Sequence, residues 1–262
     1  MVSRVIVSNV SPWLLLAALI ILIAGGALIA QTVIRRRFPG LSGDDHNDAT
    51  RFAFGVVSFA YAFFIGFVVS ATWGQINTAD AKVRTEGAIG MQLARDLTIF
   101  DKPDADRIRA ALLDFARAAQ AEWPAVAAGD TYPQADAALG RLYRAYEQVQ
   151  PGSDTQKTFL ATSFTSLNAM SQARSERVIQ SRTDTGPPWS LWVVLLLTST
   201  LVIGCAIVYG VERAALHYPM VATIGVLVAA NLFLVLQLSH PFIGEIGVSP
   251  EPLHEIERAA AG

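Results

Sequence analysis

The sequence is poor in charged side chains and has a single cysteine. Only 16% of its 262 residues are charged, whereas soluble domains carry about a quarter. The formal net charge is −2, so no basic excess favours nucleic acid as a partner. Cys205 has no second cysteine with which to form a disulfide within the chain. Because no nucleophile–base set, metal-binding constellation or phosphate-binding loop is present, the sequence predicts neither an enzyme nor a cofactor.

The sequence contains four long apolar windows, at residues 13–34, 52–73, 189–211 and 218–238. Each exceeds the roughly 20 helical residues that cross a hydrocarbon core. Backbone polar groups in lipid must be satisfied within the segment, which favours helices. The sequence therefore predicts an all-α membrane protein with four transmembrane helices and the lipid bilayer as its solvent.

The region between the second and third windows is more polar and also has a helical pattern. Its 13 Lys and Arg residues nearly balance 14 Asp and Glu residues. Apolar and small side chains recur at steps of three and four after the second window, namely Ile76, Ala79, Val83, Gly87, Gly90, Ala94 and Leu97. This pattern predicts that the second transmembrane helix continues into the polar region as one long helix.

Apolar residues at helical spacing also recur within residues 108–119, 135–146 and 159–178, and these three stripes predict three more helices. The first of the three is predicted to end at "EWP" 122–124. The predicted organisation has four parts: a transmembrane helix pair at 1–73, a helical extramembrane domain at 74–188, a second pair at 189–238 and a tail at 239–262. A solvated helical bundle accounts for the composition of the middle domain, and a ligand pocket inside this bundle is the alternative.

The connector after the first window predicts the membrane orientation. Arg35, Arg36 and Arg37 follow the apolar run directly, and short loops rich in Lys and Arg stay in the cytoplasm. This places the middle domain on the extracytoplasmic side. Farther along the connector, Asn47 or Asp48 can cap the second helix. His46 can serve in a polar interfacial loop or, with its acidic neighbours, as a metal ligand.

The second window has two neighbouring faces. Small residues form one face, which is suited to close helix packing, namely Gly55, Ser58, Ala62, Gly66 and Ser70. Large residues form the other, namely Phe52, Val56, Phe59, Phe63 and Phe67. The large face can serve helix packing or lipid contact. In an oligomer that surrounds an axis, it can instead form a hydrophobic constriction.

Several segments resemble, in order, the bacterial bestrophin-like membrane proteins, which are catalogued as a domain of unknown function. They are "HND" 46–48, "YAFFIGFVVSATW" 61–73, "ADAKVRTEG" 79–87 with its acid Glu86, "AEWP" 121–124, "RSER" 174–177 and "HPFIGEIGVSPEP" 240–252. Together they span most of the chain. The resemblance implies a bacterial inner-membrane protein with several membrane passes.

Bestrophins are pentameric anion channels with two spans, a helical domain and two more spans, and their second helix lines a hydrophobic neck. The resemblance therefore implies a homo-oligomer, small inorganic ions as partners and a neck at Phe59, Phe63 and Phe67. It also implies a cytoplasmic middle domain, opposite to the arginine pattern. Two functional hypotheses follow: a homo-oligomeric ion channel, or a non-conducting sensor or scaffold that acts through its helical domain.

Overall fold

A computed structural model describes residues 2–38, 47–182, 186–209, 214–244 and 246–262, with the backbone alone for residues 2, 3, 5 and 47–50. The described residues form nine α-helices and no strand. They are α1 (Val2–Asn9), α2 (Pro12–Arg37), α3 (Asn47–Asp96), α4 (Lys102–Ala128), α5 (Pro133–Glu147), α6 (Asp154–Arg182), α7 (Trp189–Val208), α8 (Ala214–Leu238) and α9 (Glu251–Ala261). A short 3₁₀ helix, Leu97–Ile99, follows α3.

Four of these segments are long and apolar enough to cross a membrane: Pro12–Arg37, Arg51–Ile99, Trp189–Val208 and Ala214–Leu238. They confirm the four predicted transmembrane helices of an all-α, multi-pass membrane protein. The second segment has 49 residues, far more than the roughly 20 that a bilayer requires. The prediction that this helix continues beyond its apolar window is therefore confirmed.

The chain folds as two compact units. The first unit comprises Met1–Gly74, Gly186–His240 and Gly244–Ile246. Its core holds aliphatic side chains and one tyrosine from α3, α7 and α8, namely Tyr61, Ile65, Val68, Leu195, Val202, Val228, Leu232 and Val235. Gly225 of α8 faces α2 so closely that a Cβ there would lie 2.7 Å from Ala24 Cα. Small residues thus let these membrane helices approach each other, as van der Waals packing in lipid requires.

The second unit comprises Gln75–Thr185, Pro241–Ile243 and Gly247–Gly262. Its largest fully buried apolar side chains are Leu93, Leu97, Ile108, Leu112, Phe115, Leu142, Tyr146, Leu167 and Met170. Tyr146 packs between two other aromatic rings, with its centroid 6.2 Å from those of Phe100 and Phe164. Every α-helix of this unit except α9 overlaps a segment that the apolar spacing predicts to be helical.

Helix α4 is longer than the sequence predicts. Instead of ending at "EWP", α4 continues through Pro124 to Ala128. Gly129 ends it in the left-handed region with a φ of 90°, which glycine adopts without a Cβ penalty. Its amide donates to the carbonyl oxygens of Ala125 and Val126, so the last turn is satisfied despite the proline one turn before it.

The sequence pattern did not predict helix α9, which lies in the segment assigned to the tail. Two glycines of α3 receive it. A Cβ at Gly87 would lie 2.5 Å from the Pro252 carbonyl oxygen, and one at Gly90 would lie 2.5 Å from Ile256 Cδ1. Polar contacts also join α9 to α4, including the one from Arg117 Nε to Glu257 Oε1 at 2.9 Å.

Candidate functional site

The first half of α3 presents two different sides. Tyr61, Ile65 and Val68 are buried in the core of the first unit. The predicted constriction residues lie on the opposite side, where Phe59, Phe63 and Phe67 are 75%, 73% and 63% exposed. Their spacing of four residues brings them onto one helix face. The single chain therefore leaves this phenylalanine face free to meet lipid, a second copy or a pore.

The predicted packing face is also largely outside the core. Gly55, Ala62, Gly66 and Ser70 are exposed, and Ser58 is half-buried. A Cβ built at Gly55 or at Gly66 meets nothing within 4 Å among the described residues. These glycines are thus not explained by packing within the described part of the chain.

A buried network of charged side chains lies in the second unit. The Arg177 guanidinium donates to the Glu86 carboxylate through Nε at 2.8 Å and through Nη2 at 3.2 Å. Arg177 Nη2 also donates to Glu122 Oε2 at 3.0 Å. The side chains of Arg177 and Glu86 have no exposed surface, and that of Glu122 is 2% exposed. Helices α3, α4 and α6 are therefore joined by ion pairs inside the protein.

Arg174 extends this network towards the surface. It donates to both carboxylate oxygens of Glu122, through Nη2 at 2.6 Å and Nε at 3.1 Å. Its Nη1 donates to Asp136 Oδ1 of α5 at 2.8 Å. The Asp136 side chain is 74% exposed, whereas that of Arg174 is only 5% exposed. Asp136 is thus the solvent-facing end of an otherwise buried set of charges.

The two arginines are buried because they continue the apolar face of α6. Ser163, Leu167 and Met170 are buried at steps of three and four, and the same steps lead to Arg174 and Arg177. The predicted stripe instead included Phe159 and Val178, and both of these are only half-buried. The spacing rule is correct here, but a rule that admits only apolar residues to a core omits these arginines.

The ionic state of the network follows from its pairing. Burial alone would lower the pKa of Arg177, but the charges and hydrogen bonds of Glu86 and Glu122 raise it above its ordinary value. Burial alone would also lower the pKa of Arg174. The hydrogen bonds and charges of Glu122, and to a smaller extent those of Asp136, raise this pKa above its ordinary value. Charge-assisted hydrogen bonds offset the cost of burying these charges, although Arg177 Nη1 is buried without a hydrogen-bond partner among the described residues. Both arginines are therefore held as cations.

An aromatic ring covers one side of Arg177. Its guanidinium carbon lies 5.6 Å from the ring centroid of Trp123, a distance suited to a cation–π contact. Phe242 meets the same Trp123 ring edge-on, with the centroids 5.6 Å apart. The network thus includes parts of four segments that carry the resemblance: those of Glu86, of Glu122 and Trp123, of Arg174 and Arg177, and of Phe242.

Among the predicted site residues, Glu86 is the one that the structure places in this network. Its partners Glu122, Arg174 and Arg177 were not predicted as site residues, although the motifs "AEWP" and "RSER" contain them. Asn47 and Asp48 begin α3, but their side chains lie outside the part of the chain described, as does the whole of His46. No group of three or more His, Cys, Asp or Glu residues suited to a metal occurs among the residues that the structure describes.

Comparisons with known proteins agree with this architecture. The family profile described as "Bestrophin-like domain" matches residues 21–253. A point variant of a bacterial bestrophin homolog from Klebsiella pneumoniae is 14% identical, with a TM-score of 0.68 over 94% of this chain and 99% of that chain. A second variant from the same organism is 15% identical, with a TM-score of 0.67 over 93% and 95%.

A structure described only as a membrane protein variant is 14% identical to this chain, with a TM-score of 0.70 over 94% of this chain and 97% of that chain. No curated protein matches the sequence. At these identities the structural neighbours show the fold, while the profile covers most of the chain. The order of the quoted motifs, the fold and the profile lead to one conclusion, which is that this chain belongs to the bestrophin-like family.

Proposed function

We propose that the protein is a homo-oligomeric ion channel whose pore is lined by α3. The observation that supports this most is the exposure of Phe59, Phe63 and Phe67 on the side of α3 opposite its buried face. Copies of α3 arranged around an axis would bring these rings together. Apolar rings raise the free energy of wetting a narrow passage, so they can form a gate.

The small-residue face supports the assembly. Gly55 and Gly66 have open space in front of them, and close approach through small residues is a common way for membrane helices to associate. Family membership adds the proposal of a pentamer, since bestrophins are pentameric. It also suggests small anions as the ions that pass. The inner membrane of a bacterium is the proposed location.

The domain division given by the sequence is part of this proposal. Residues 1–73 and 189–238 supply the membrane helices, residues 74–188 a helical domain outside the membrane, and residues 239–262 the tail. The arginine triplet supports the proposal that the helical domain lies on the extracytoplasmic side. A green fluorescent protein fused after Asp101 should then stay dark, while alkaline phosphatase at the same site should be active. A fluorescent fusion with inactive phosphatase would contradict this orientation.

Planar bilayers test the channel itself. Purified wild-type protein should give small or rare currents, and Phe63→Ala should give larger ones because it widens the constriction. Leu22→Ala is a matched control, since Leu22 is a 71% exposed apolar residue on another membrane helix, α2. That variant should conduct like the wild type.

Three other outcomes distinguish the alternatives. Equal currents from the wild type and Phe63→Ala would keep the channel and remove Phe63 from its gate. Equal increases from Phe63→Ala and Leu22→Ala would point to a general loosening of the membrane helices. No current from any correctly assembled protein would favour the non-conducting sensor or scaffold.

A further inference from the structure

In the second half of α3, most of the acidic side chains are buried and the arginines are exposed. By sequence this stretch is neutral, with three acids and three bases: Asp80, Glu86 and Asp96 against Lys82, Arg84 and Arg95. Glu86 is fully buried against Arg177. Asp96 is 8% exposed, and its Oδ1 accepts a hydrogen bond from Gln92 Nε2 at 2.7 Å. The fold thus withdraws two of the three negative charges from the surface of this helix.

Two of the positive charges stay outside. The side chain of Arg84 is 71% exposed, although it pairs with Asp80, whose side chain is 33% exposed. Arg95 is exposed in the last turn of α3. Lys82 is less accessible and pairs with Glu176 of α6 at 3.2 Å. The surface of this half of α3 therefore carries more positive charge than its sequence suggests.

Both arginines lie on the side of α3 that carries the phenylalanine face. Ala81 follows Phe63 by 18 residues, which is about five turns of 3.6 residues, so the two share one line along the helix. By the same rule Arg84 and Arg95 lie within about 60° of that line. The exposed residues within about 20° of the line between the rings and Arg95 are Ser70, Gly74, Ala81, Ala88 and Gln92, and all of them except Gln92 are small.

We propose that Arg84 and Arg95 set the preference of the pore for anions over cations. The inference rests on the proposed function, in which copies of α3 surround an axis. Each copy then contributes two guanidinium groups to the passage, one of them paired with the partly exposed Asp80 carboxylate, so each copy adds a net positive charge. A passage lined by one sign of charge concentrates ions of the opposite sign and repels the others. Anions are thereby enriched before they reach the phenylalanine rings.

The test is the ratio of chloride to potassium permeability, taken from reversal potentials across a potassium chloride gradient in planar bilayers. The double variant Arg84→Glu/Arg95→Glu should lower this ratio on the order of tenfold, and Arg84→Lys/Arg95→Lys should preserve it. The shift should shrink at high salt, because the screening length falls from about 10 Å at 0.1 M to about 3 Å at 1 M. A purely structural role would not predict this salt dependence.

Two single variants serve as matched controls. Arg109→Ala removes an exposed arginine of α4 that pairs with Asp106 three residues before it, much as Arg84 pairs with Asp80. Arg144→Ala removes an exposed arginine near the end of α5, as Arg95 is near the end of α3. Both should leave the permeability ratio unchanged, whereas Arg95→Ala alone should lower it.

Each result decides the assignment. A conducting double variant with an unchanged ratio would overturn the role of the two arginines and leave the channel intact. A wild type that prefers cations would have the same effect. Equal changes in Arg95→Ala and Arg144→Ala would show that net charge, and not position on α3, controls the ratio. A silent wild type, with assembly verified, would overturn the proposed channel together with this inference.

Discussion

The two halves of α3 place their residues in opposite ways. In the first half, aliphatic residues and Tyr61 pack inward while large phenylalanines are exposed. In the second half, a carboxylate is fully buried and arginines are exposed. In a membrane, a phenylalanine outside the core of its own chain need not face water, because lipid or the neighbouring copies of an oligomer can cover it. Water makes exposed arginines favourable, and a buried charge then needs a partner of opposite sign. One continuous helix therefore obeys two different rules of burial.

The largest expected effect comes from breaking the buried pair. Arg177→Ala should lower the free energy of unfolding by about 3–5 kcal/mol, because it leaves Glu86 buried without its main partner. Arg109→Ala removes an exposed pair and should change it by less than about 1 kcal/mol. Thermal unfolding in detergent, followed by circular dichroism, gives the comparison. Equal and small shifts for the two variants would mean that the network contributes little to the second unit.

The next effect concerns assembly in the first half of α3. Gly66→Leu should shift the oligomer towards monomer, because a large side chain prevents close approach of helices. The single chain should still fold, since a Cβ at Gly66 meets nothing within 4 Å. Gly26→Leu is the matched control, because Gly26 of α2 is also exposed and open. Native mass spectrometry would contradict the assignment if both variants kept the wild-type oligomer.

A smaller effect tests the docking of α9 in the second unit. Gly87→Ala should lower stability by about 1–3 kcal/mol, since its Cβ meets backbone of α9 and forces a shift. Gly90→Ala should have a weaker effect because it meets the side chain of Ile256, which can rotate. Gly140→Ala, whose Cβ would have an ordinary 3.7 Å contact, is the control. Limited proteolysis should cut before α9 more rapidly in Gly87→Ala, and equal cleavage in all three variants would contradict the account.

The membrane helices could be predicted from sequence because lipid leaves few alternatives. An apolar run of sufficient length has to be helical, and the four runs in this chain are clear. The spacing of small and apolar residues also predicted the continuation of α3. Helix α9 was missed because it is short, although Leu253, Ile256 and Ala260 repeat at steps of three and four on its buried side.

The ion network could not be predicted from sequence pattern alone. Arg177 meets Glu86 and Glu122 across separations of 91 and 55 residues, so no local window contains both members of a pair. Arginines on a helix are normally expected in water. Resemblance identified Glu86 as a motif acid, and the arginines lie in another of the quoted motifs. The burial of one set of charges in turn determines which charges stay exposed, so the surface of α3 also required the structure.

The most direct measurement of the central claim is an experimental structure of the oligomer in lipid nanodiscs. The account predicts copies of α3 around a central axis, with Phe59, Phe63 and Phe67 forming the narrowest part of the pore. It also predicts Gly66 at the contact between neighbouring copies. An assembly in which the three phenylalanines face lipid, or in which another helix surrounds the axis, would contradict the claim.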